Sequence, residues 1–330
     1  MRRALPRPGR LARASQERID MDLPIQSLAV VGAGAMGSGI AALFAARGLD
    51  VVLIDPMPGA LERAASVIDR QLGVYAPGAV AETRRRIRME SGLEAACSCD
   101  LVIEAIPEKL ELKRDVFARL DTLCRPETLF ATNTSGLSIN AIAEAVTRRD
   151  RFVGTHFFTP ADVIPLVEVV RNDHTSPATV DTVMAALRAV GKRPVLVNRD
   201  IPGFIANRIQ HALAREAMSL LEKGIASAED IDEVVKWSLG IRLALTGPLE
   251  QRDMNGLDVH HAIATYLYPD LENRTTPSPL LAGKVASGEI GAKAGKGFYD
   301  WPAERREQVL RDKSAALGDL VDWLNSRQAD

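Results

Sequence analysis

The chain has 330 residues, 46% of them apolar and 25% charged, with a net charge of −2. That length holds two domains with sizeable cores, and the composition is that of an ordinary soluble protein. The near-neutral charge gives no reason to expect nucleic acid or a membrane surface as partner, and no apolar run reaches the ~18 residues of a spanning helix.

Residues 1–22 differ in character from the rest of the chain. The first twenty, MRRALPRPGRLARASQERID, carry six arginines and two prolines and no continuous apolar core, which excludes a secretory signal. A disordered leader, or a true start at Met21, is the expectation, with an organelle transit peptide as the alternative. Residues 27–55, SLAVVGAGAMGSGIAALFAARGLDVVLID, then read as strand, glycine turn, helix and second strand. Between Asp55 and Asp100 the chain reads as mostly helical, with an arginine-rich patch from Arg84 to Arg88. DLVIEAIP and TLFATNTSG give two more strands, and alternation of strand and helix indicates a parallel sheet covered on both faces. RFVGTHFF and PLVEVV are strand-like runs separated by a proline-containing turn. A helix over Thr179–Val190 and a last strand, RPVLVN, complete this part.

After residue 200 the pattern is helical throughout. FIANRIQHALAREAMSLLEKG is a long amphipathic helix closed by Gly224, and Ser227 is placed to cap the next one. The expected architecture is therefore an α/β Rossmann-like dinucleotide-binding domain over 23–200, followed by an all-α domain over 201–330 that ends in a tail helix. The three cysteines, Cys97, Cys99 and Cys124, lack metal-ligand spacing and are odd in number, which points to no metal site and to a reducing cytoplasm.

Gly32, Gly34 and Gly37 form GxGxxG between a strand and a helix, the context in which this common pattern becomes specific. The first glycine serves the tight turn, the second the approach of a pyrophosphate, the third close packing of helix on sheet. The turn Gly32-Ala33-Gly34-Ala35-Met36-Gly37 would thus offer backbone N–H groups at a helix N-terminus to the phosphates. Asp55, 18 positions after Gly37, would accept the ribose hydroxyls and repel a 2′-phosphate, so the cofactor is read as NAD. His156 in GTHFFTP and Glu168 in PLVEVV would meet if their runs pair as a hairpin. The carboxylate would then fix the imidazole tautomer and stabilise the imidazolium formed when an alcohol loses its proton.

With these motifs in place, the sequence resembles the L-3-hydroxyacyl-CoA dehydrogenases from about Leu28 to Trp301. The resemblance is carried by VVGAGAMGSGIA, LVIEAIPE, ATNTSGLSI, RFVGTHFFTP, PLVEVV, DIPGFIANRI and GAKAGKGFYDW, in that order. It implies a homodimer and a set of roles. His156 matches the general base and Glu168 its partner; Ser135 matches a hydroxyl that binds the reacting oxygen beside the nicotinamide, and Asn207 an amide that holds substrate. Glu108 and Lys113 match residues near the nicotinamide half and the substrate, Thr159 lies at a cofactor-side position, and Lys293 matches a lysine that reaches the cofactor. The plainer alternatives are a helix-capping Ser135, a core-facing Asn207 and a solvated Lys293.

Three departures bear on the substrate. Thr159 stands where the fatty-acid enzymes usually have asparagine, and NTSG replaces NTSS. The segment from Asp55 to Asp100 is also shorter than the CoA-contacting helical hairpin of those enzymes and lacks its lysines. The first reading is oxidation of an L-3-hydroxyacyl-CoA, such as 3-hydroxybutyryl-CoA, to the 3-oxo product. The second is the same chemistry on a free small hydroxy acid or alcohol, as in the carnitine, gulonate and pyridoxine-catabolic dehydrogenases. The third is a non-catalytic, crystallin-like relative, against which the full set of Ser135, His156, Glu168 and Asn207 argues.

Overall fold

The computed structural model describes residues 24–327, so the leader expected over 1–22 lies outside the described residues. The chain divides into two compact units that meet at Ile205 and Ala206, a few residues beyond the boundary expected near Asp200.

The first unit is built on an eight-stranded sheet: β1 (Ser27–Val31), β2 (Asp50–Ile54), β3 (Ile87–Glu90), β4 (Leu101–Glu104), β5 (Leu129–Thr132), β6 (Phe152–Phe157), β7 (Leu166–Arg171) and β8 (Arg193–Val197). The strand order is β3-β2-β1-β4-β5-β6-β7-β8, parallel except for the antiparallel pair β6–β7. The central strands are apolar runs because both faces are covered: Val30, Leu53 and Ile103 enter one core, Val31, Ile54 and Val102 the other. Helices α1 (Ala35–Ala45), α2 (Ala60–Tyr75) and α6 (Pro177–Ala189) close the first core with Ile40, Phe44, Ile68, Val183 and Leu187. Helices α4 (Leu110–Leu123) and α5 (Ile139–Ala143) close the second with Phe117 and Ile142, and Phe117 stacks edge-on against Phe152, centroids 4.7 Å apart.

The segment between Asp55 and Asp100 is mostly helical, as expected, but it also holds a strand that was not expected. After α2 and the short α3 (Val80–Arg84), residues 87–90 form the edge strand β3, paired parallel to β2. The arginine patch therefore does not lie on one helix face: Arg84 ends α3 and Arg88 stands in β3. Ile87, the one buried residue of β3, pairs with Val51 of β2.

The second unit is helical: α7 (Ala206–Glu222), α8 (Ala228–Val234), α9 (Ile241–Leu243), α10 (Pro248–Asn255), α11 (Leu257–Leu267), α12 (Pro279–Ala286) and α13 (Ala303–Arg327). α7 stops at Gly224, whose φ of 65° lets the amides of Gly224 and Ile225 return to the carbonyls of Leu221 and Leu220. Ser227 caps α8, its Oγ accepting from the amide of Asp230 at 3.1 Å. A π-helical turn, Val235–Gly240, joins α8 to α9. Two ionic clusters tie the connections: Arg274 bridges Glu222 and Glu272, and Glu289 bridges Lys284 and Lys296. Among the described residues of this unit no apolar side chain is buried, whereas Trp237, Leu249, Met254, Tyr266 and Tyr268 are each about two-thirds exposed or more.

Candidate active site

The site of the first unit forms at the carboxyl ends of the parallel strands, where strand order reverses between β1 and β4 and open α/β sheets bind their ligands. β1 feeds the glycine turn. Gly32 takes φ +108° and passes so close to the β4–α4 connection that a Cβ would lie 2.6 Å from the Ala105 carbonyl oxygen. Gly37 packs on the turn itself, where a Cβ would strike the Gly32 carbonyl. A Cβ on Gly34 would instead meet nothing within 4 Å, so the backbone here faces open space at the N-terminus of α1. No side chain caps that helix and its first turn holds no acid, so its leading N–H groups remain for an anionic ligand. At the end of β2 the Asp55 carboxylate accepts from the amides of Ala33 (2.8 Å) and Met57 (2.9 Å), which fixes it beside the turn. Open backbone, helix N-terminus and anchored carboxylate together fit a dinucleotide.

β4 and β5 supply a polar cage. Glu104, the last residue of β4, is fully buried and accepts from Lys113 Nζ (2.7 Å), Thr132 Oγ1 (2.7 Å) and the amide of Ile106 (2.7 Å). Burial raises its pKa, and the adjacent Lys113 charge opposes that rise. Lys113, also fully buried, reaches the Ile106 carbonyl (3.3 Å) and Glu108 (3.3 Å). Glu108 in turn accepts from Thr134 Oγ1 (2.5 Å) and from the amides of Ser135 (2.9 Å) and Gly136 (3.2 Å). Burial pushes the Glu108 carboxyl up, but these donors and Lys113 outweigh it and leave its pKa below the usual carboxylate range. Ser135 thus sits in a turn pinned by its own backbone amide. The α5 cap is Ser138, not Ser135.

β6 and β7 bring the remaining pair together. Their antiparallel register sets His156 opposite Glu168, and Nδ1 lies 2.8 Å from Oε2. Both side chains are buried. The other Glu168 oxygen accepts the amide of Ile205 at 3.0 Å. The rings of Phe158 and Phe204 lie 4.3 and 5.7 Å from the imidazole. Phe204 holds a left-handed φ of 49°, rare for a bulky side chain. Asn133, just before the Ser135 turn, accepts the amide of Phe157 (2.9 Å) and so ties β5 to the histidine strand. Thr159 Oγ1 lies 3.3 Å from the sulfur of Met36 in the glycine turn.

The first unit therefore carries the glycine turn, Asp55, Glu108, Lys113, Ser135, His156, Thr159 and Glu168. Asn207 is the second residue of α7, and Lys293 lies in the 3₁₀ turn Ala292–Ala294; both belong to the helical unit. Sequence reasoning passed over Glu104, Thr134 and the Phe204–Ile205 pair. An acid closing the apolar strand LVIE and the aromatic of IPGF were the available signals.

Two family models match the chain, the NAD-binding domain of 3-hydroxyacyl-CoA dehydrogenase over residues 27–201 and its C-terminal domain over 203–301. The chain belongs to the 3-hydroxyacyl-CoA dehydrogenase family. It is an oxidoreductase of the CH–OH class and uses NAD. The 5-formyl-3-hydroxy-2-methylpyridine 4-carboxylate 5-dehydrogenase of Mesorhizobium japonicum is 35% identical over 92% of this chain and 100% of its own length. The 3-hydroxybutyryl-CoA dehydrogenase of Clostridioides difficile is 40% identical over 83% of this chain and 99% of its own. Among solved structures, a 5-formyl-3-hydroxy-2-methylpyridine 4-carboxylic acid 5-dehydrogenase, described as an NAD⁺-dependent dismutase, superposes with a TM-score of 0.84 at 35% identity, covering 91% of this chain and 99% of that one. The (S)-3-hydroxybutyryl-CoA dehydrogenase of Ralstonia eutropha superposes with 0.71 at 35% identity, covering 84% and 99%. α13 lies beyond the C-terminal family model.

Proposed function

We propose that this enzyme oxidises a carbinol carbon of a small free acid, with His156 as the general base. The observation that carries the reading is the buried His156–Glu168 pair, set across β6 and β7 at 2.8 Å. With Nδ1 committed to the carboxylate, the imidazole takes the hydroxyl proton at Nε2, and Glu168 stabilises the imidazolium so formed. Ser135, held by Glu108, orients the reacting oxygen, and the rings of Phe158 and Phe204 keep water from the imidazole. The glycine turn and Asp55 would hold NAD, which when bound would supply the hydride acceptor. Asn207 and Lys293 are assigned to substrate and cofactor by family position.

The arginine patch favours a free acid over a CoA thioester. CoA carries a 3′-phosphate and a diphosphate, and gripping them takes Lys or Arg contacts. Three of the four arginines in the patch already have protein partners, Arg84 in the Ile87 carbonyl and Asp69, Arg86 in the Gly48 carbonyl and Asp50, and Arg88 in Glu90, while Arg85 is exposed. The pyridine-carboxylate dehydrogenase also aligns over more of the chain than the butyryl-CoA enzyme does. The second reading, a 3-hydroxyacyl-CoA, rests on the family models and on the 40% identical relative. One assay separates them: NAD reduction with free hydroxy acids and hydroxymethyl-arene carboxylates, beside 3-hydroxybutyryl-CoA and its pantetheine thioester. Turnover of free acids, with the two thioesters within about tenfold of each other in kcat/KM, is the expected outcome; tenfold is about 1.4 kcal/mol of binding. A hundredfold preference for the CoA ester restores the second reading.

The uncovered apolar side chains of the helical unit support a homodimer as the working form. Cys97, Cys99 and Cys124 are all free thiols, which supports a reducing, cytoplasmic location.

A further inference from the structure

The connection from β6 to β7 closes the hairpin that pairs His156 with Glu168, and two of its carbonyls look outside it for a donor. Its single helical turn spends the amides of Val163 and Ile164 on the Pro160 carbonyl. The carbonyls of Ala161 and Ile164 accept instead from Lys192 Nζ, at 2.5 and 2.9 Å. Lys192 is buried, and Asp162 on the same turn favours its charge. The lysine backbone is fixed on both sides. Gly191 takes φ 83° at the end of α6, and the Lys192 amide returns to the Leu187 carbonyl at 2.9 Å. The next amide, that of Arg193, donates to the Pro165 carbonyl at 2.8 Å as β8 begins. The turn also leans on the dinucleotide helix. Thr159 Oγ1 lies 3.3 Å from Met36 Sδ, and a Cβ on Gly39 would stand 3.4 Å from that of Ala161, so α1 and the turn pass at close range.

We propose that Lys192 is a positioning residue for the catalytic pair: its ammonium clamps the β6–β7 turn between the end of α6 and α1, and so holds His156 against Glu168. A strand ladder opens from its ends. At the turn the first rung is Phe157–Val167 and the next is His156–Glu168, so slack in the turn reaches the pair after a single residue. Charged donors suit this task, because their hydrogen bonds are roughly twice as strong as those between neutral groups. Two such bonds, to carbonyls three residues apart, fix the turn in orientation as well as in place. Without the donor, the Ala161 carbonyl is left in a buried residue with no amide of the turn to replace it.

The catalytic consequence rests on the reading of His156 as the base, and the test separates the two. Lys192→Met in the full chain keeps the length of the side chain and removes the donor. Three things are measured: hydrogen exchange of the Val163 and Ile164 amides, the downfield Nδ1–H resonance of His156 (assigned by its loss in His156→Gln), and the kinetics with NAD and the fastest alcohol of the assay above. We expect faster exchange of both amides, a broadened resonance and kcat lower by about tenfold or more. KM and the dissociation constant for NAD should stay within about threefold, because the glycine turn is tied separately to Ile54 and Asp55. A variant whose turn exchanges faster while resonance and kcat match the parent's overturns the proposal. So does a loss carried by KM or NAD affinity with the resonance unchanged, which makes Lys192 a binding residue. Should Lys192→Met fail to fold, Pro165→Gly slackens the same turn and leaves the lysine in place; faster exchange beside a normal kcat then overturns the clamp. Parent-like turnover in His156→Gln would instead remove the base, and the exchange of Val163 and Ile164 would still report on the clamp.

Discussion

A histidine whose Nδ1 is held by a buried carboxylate can exchange a proton only through Nε2, so the strand register that sets His156 against Glu168 also sets which nitrogen would serve the proposed base. His156→Gln keeps the volume and removes the base; NAD affinity should stay near the parent's while kcat falls roughly 10²–10⁴-fold. Glu168→Gln should cost less, since the imidazole survives, but the amide cannot stabilise the imidazolium and must still face the Ile205 amide. Stopped-flow traces of NAD reduction, with separate titrations of NAD binding, check both, and near-normal turnover in the His156 variant would remove it as the base. Asp55 offers a second test at this scale. Its carboxylate is pinned by two backbone amides and cannot swing away from a 2′-phosphate. The enzyme should therefore prefer NAD to NADP in kcat/KM, and Asp55→Asn with Pro56→Arg should narrow the gap; equal use of both by the parent would contradict the role.

The loop between β6 and β7 is the element on which the pair depends, and it is held from behind. Residues 160–164 make one helical turn, the amides of Val163 and Ile164 both returning to the Pro160 carbonyl. Lys192, buried just before β8, donates to the carbonyls of Ala161 (2.5 Å) and Ile164 (2.9 Å), capping that turn with an ammonium. Burial lowers the Lys192 pKa from 10.5 to about 8, against the opposing pull of Asp162. Between those values the unfolded chain binds the extra proton, so this group's contribution to stability is complete above pH 10.5 and is lost as pH falls through about 8. Tyr75 is raised by burial, and Cys99 and Cys124 are raised by burial to about 11; all three act in the opposite sense at high pH. The quantity to measure is therefore the stability of the parent minus that of Lys192→Met, by urea titration from pH 7.5 to 10.5. It should shift in the parent's favour by up to about 3 kcal/mol across that range; a flat difference would mean the ammonium carries no burial penalty. Legibility in the sequence also divides by element. Strands buried on both faces, such as LAVV and VVLI, announce themselves as apolar runs, and the His–Glu hairpin follows from its proline-bounded turn. β3 does not, because an edge strand of four residues with one buried side chain has neither a run nor an alternation. The cage around Lys113 was hidden for another reason: burial of a lysine depends on partners from β4, β5 and the loops after them, and no local pattern encodes that convergence.

At the scale of the whole molecule the two units bury their apolar side chains very differently. The first closes two cores over its sheet, with Phe44, Phe117, Phe130 and Phe152 fully enclosed. The second reaches α13 without enclosing one apolar side chain among its described residues. A helical unit whose apolar side chains are at most half-buried, as Met218, Leu220 and Leu221 are, has only a partial hydrophobic term to set against the entropy of ordering its chain. Trp237 and Tyr266, 72% and 70% exposed, would each gain on the order of 2 kcal/mol from full burial. If a second copy of this unit supplies the cover, folding and association become one equilibrium, and the melting temperature must depend on protein concentration. We expect sedimentation equilibrium to give twice the mass of the 35.7 kDa chain, and the melting temperature to rise by several degrees between micromolar and hundred-micromolar protein. Substituting Trp237 by lysine should lower it further at low concentration than at high, if that face is covered in the dimer. A monomeric mass, with a melting temperature independent of concentration, would leave the exposed face without a second copy to cover it and would overturn the dimer.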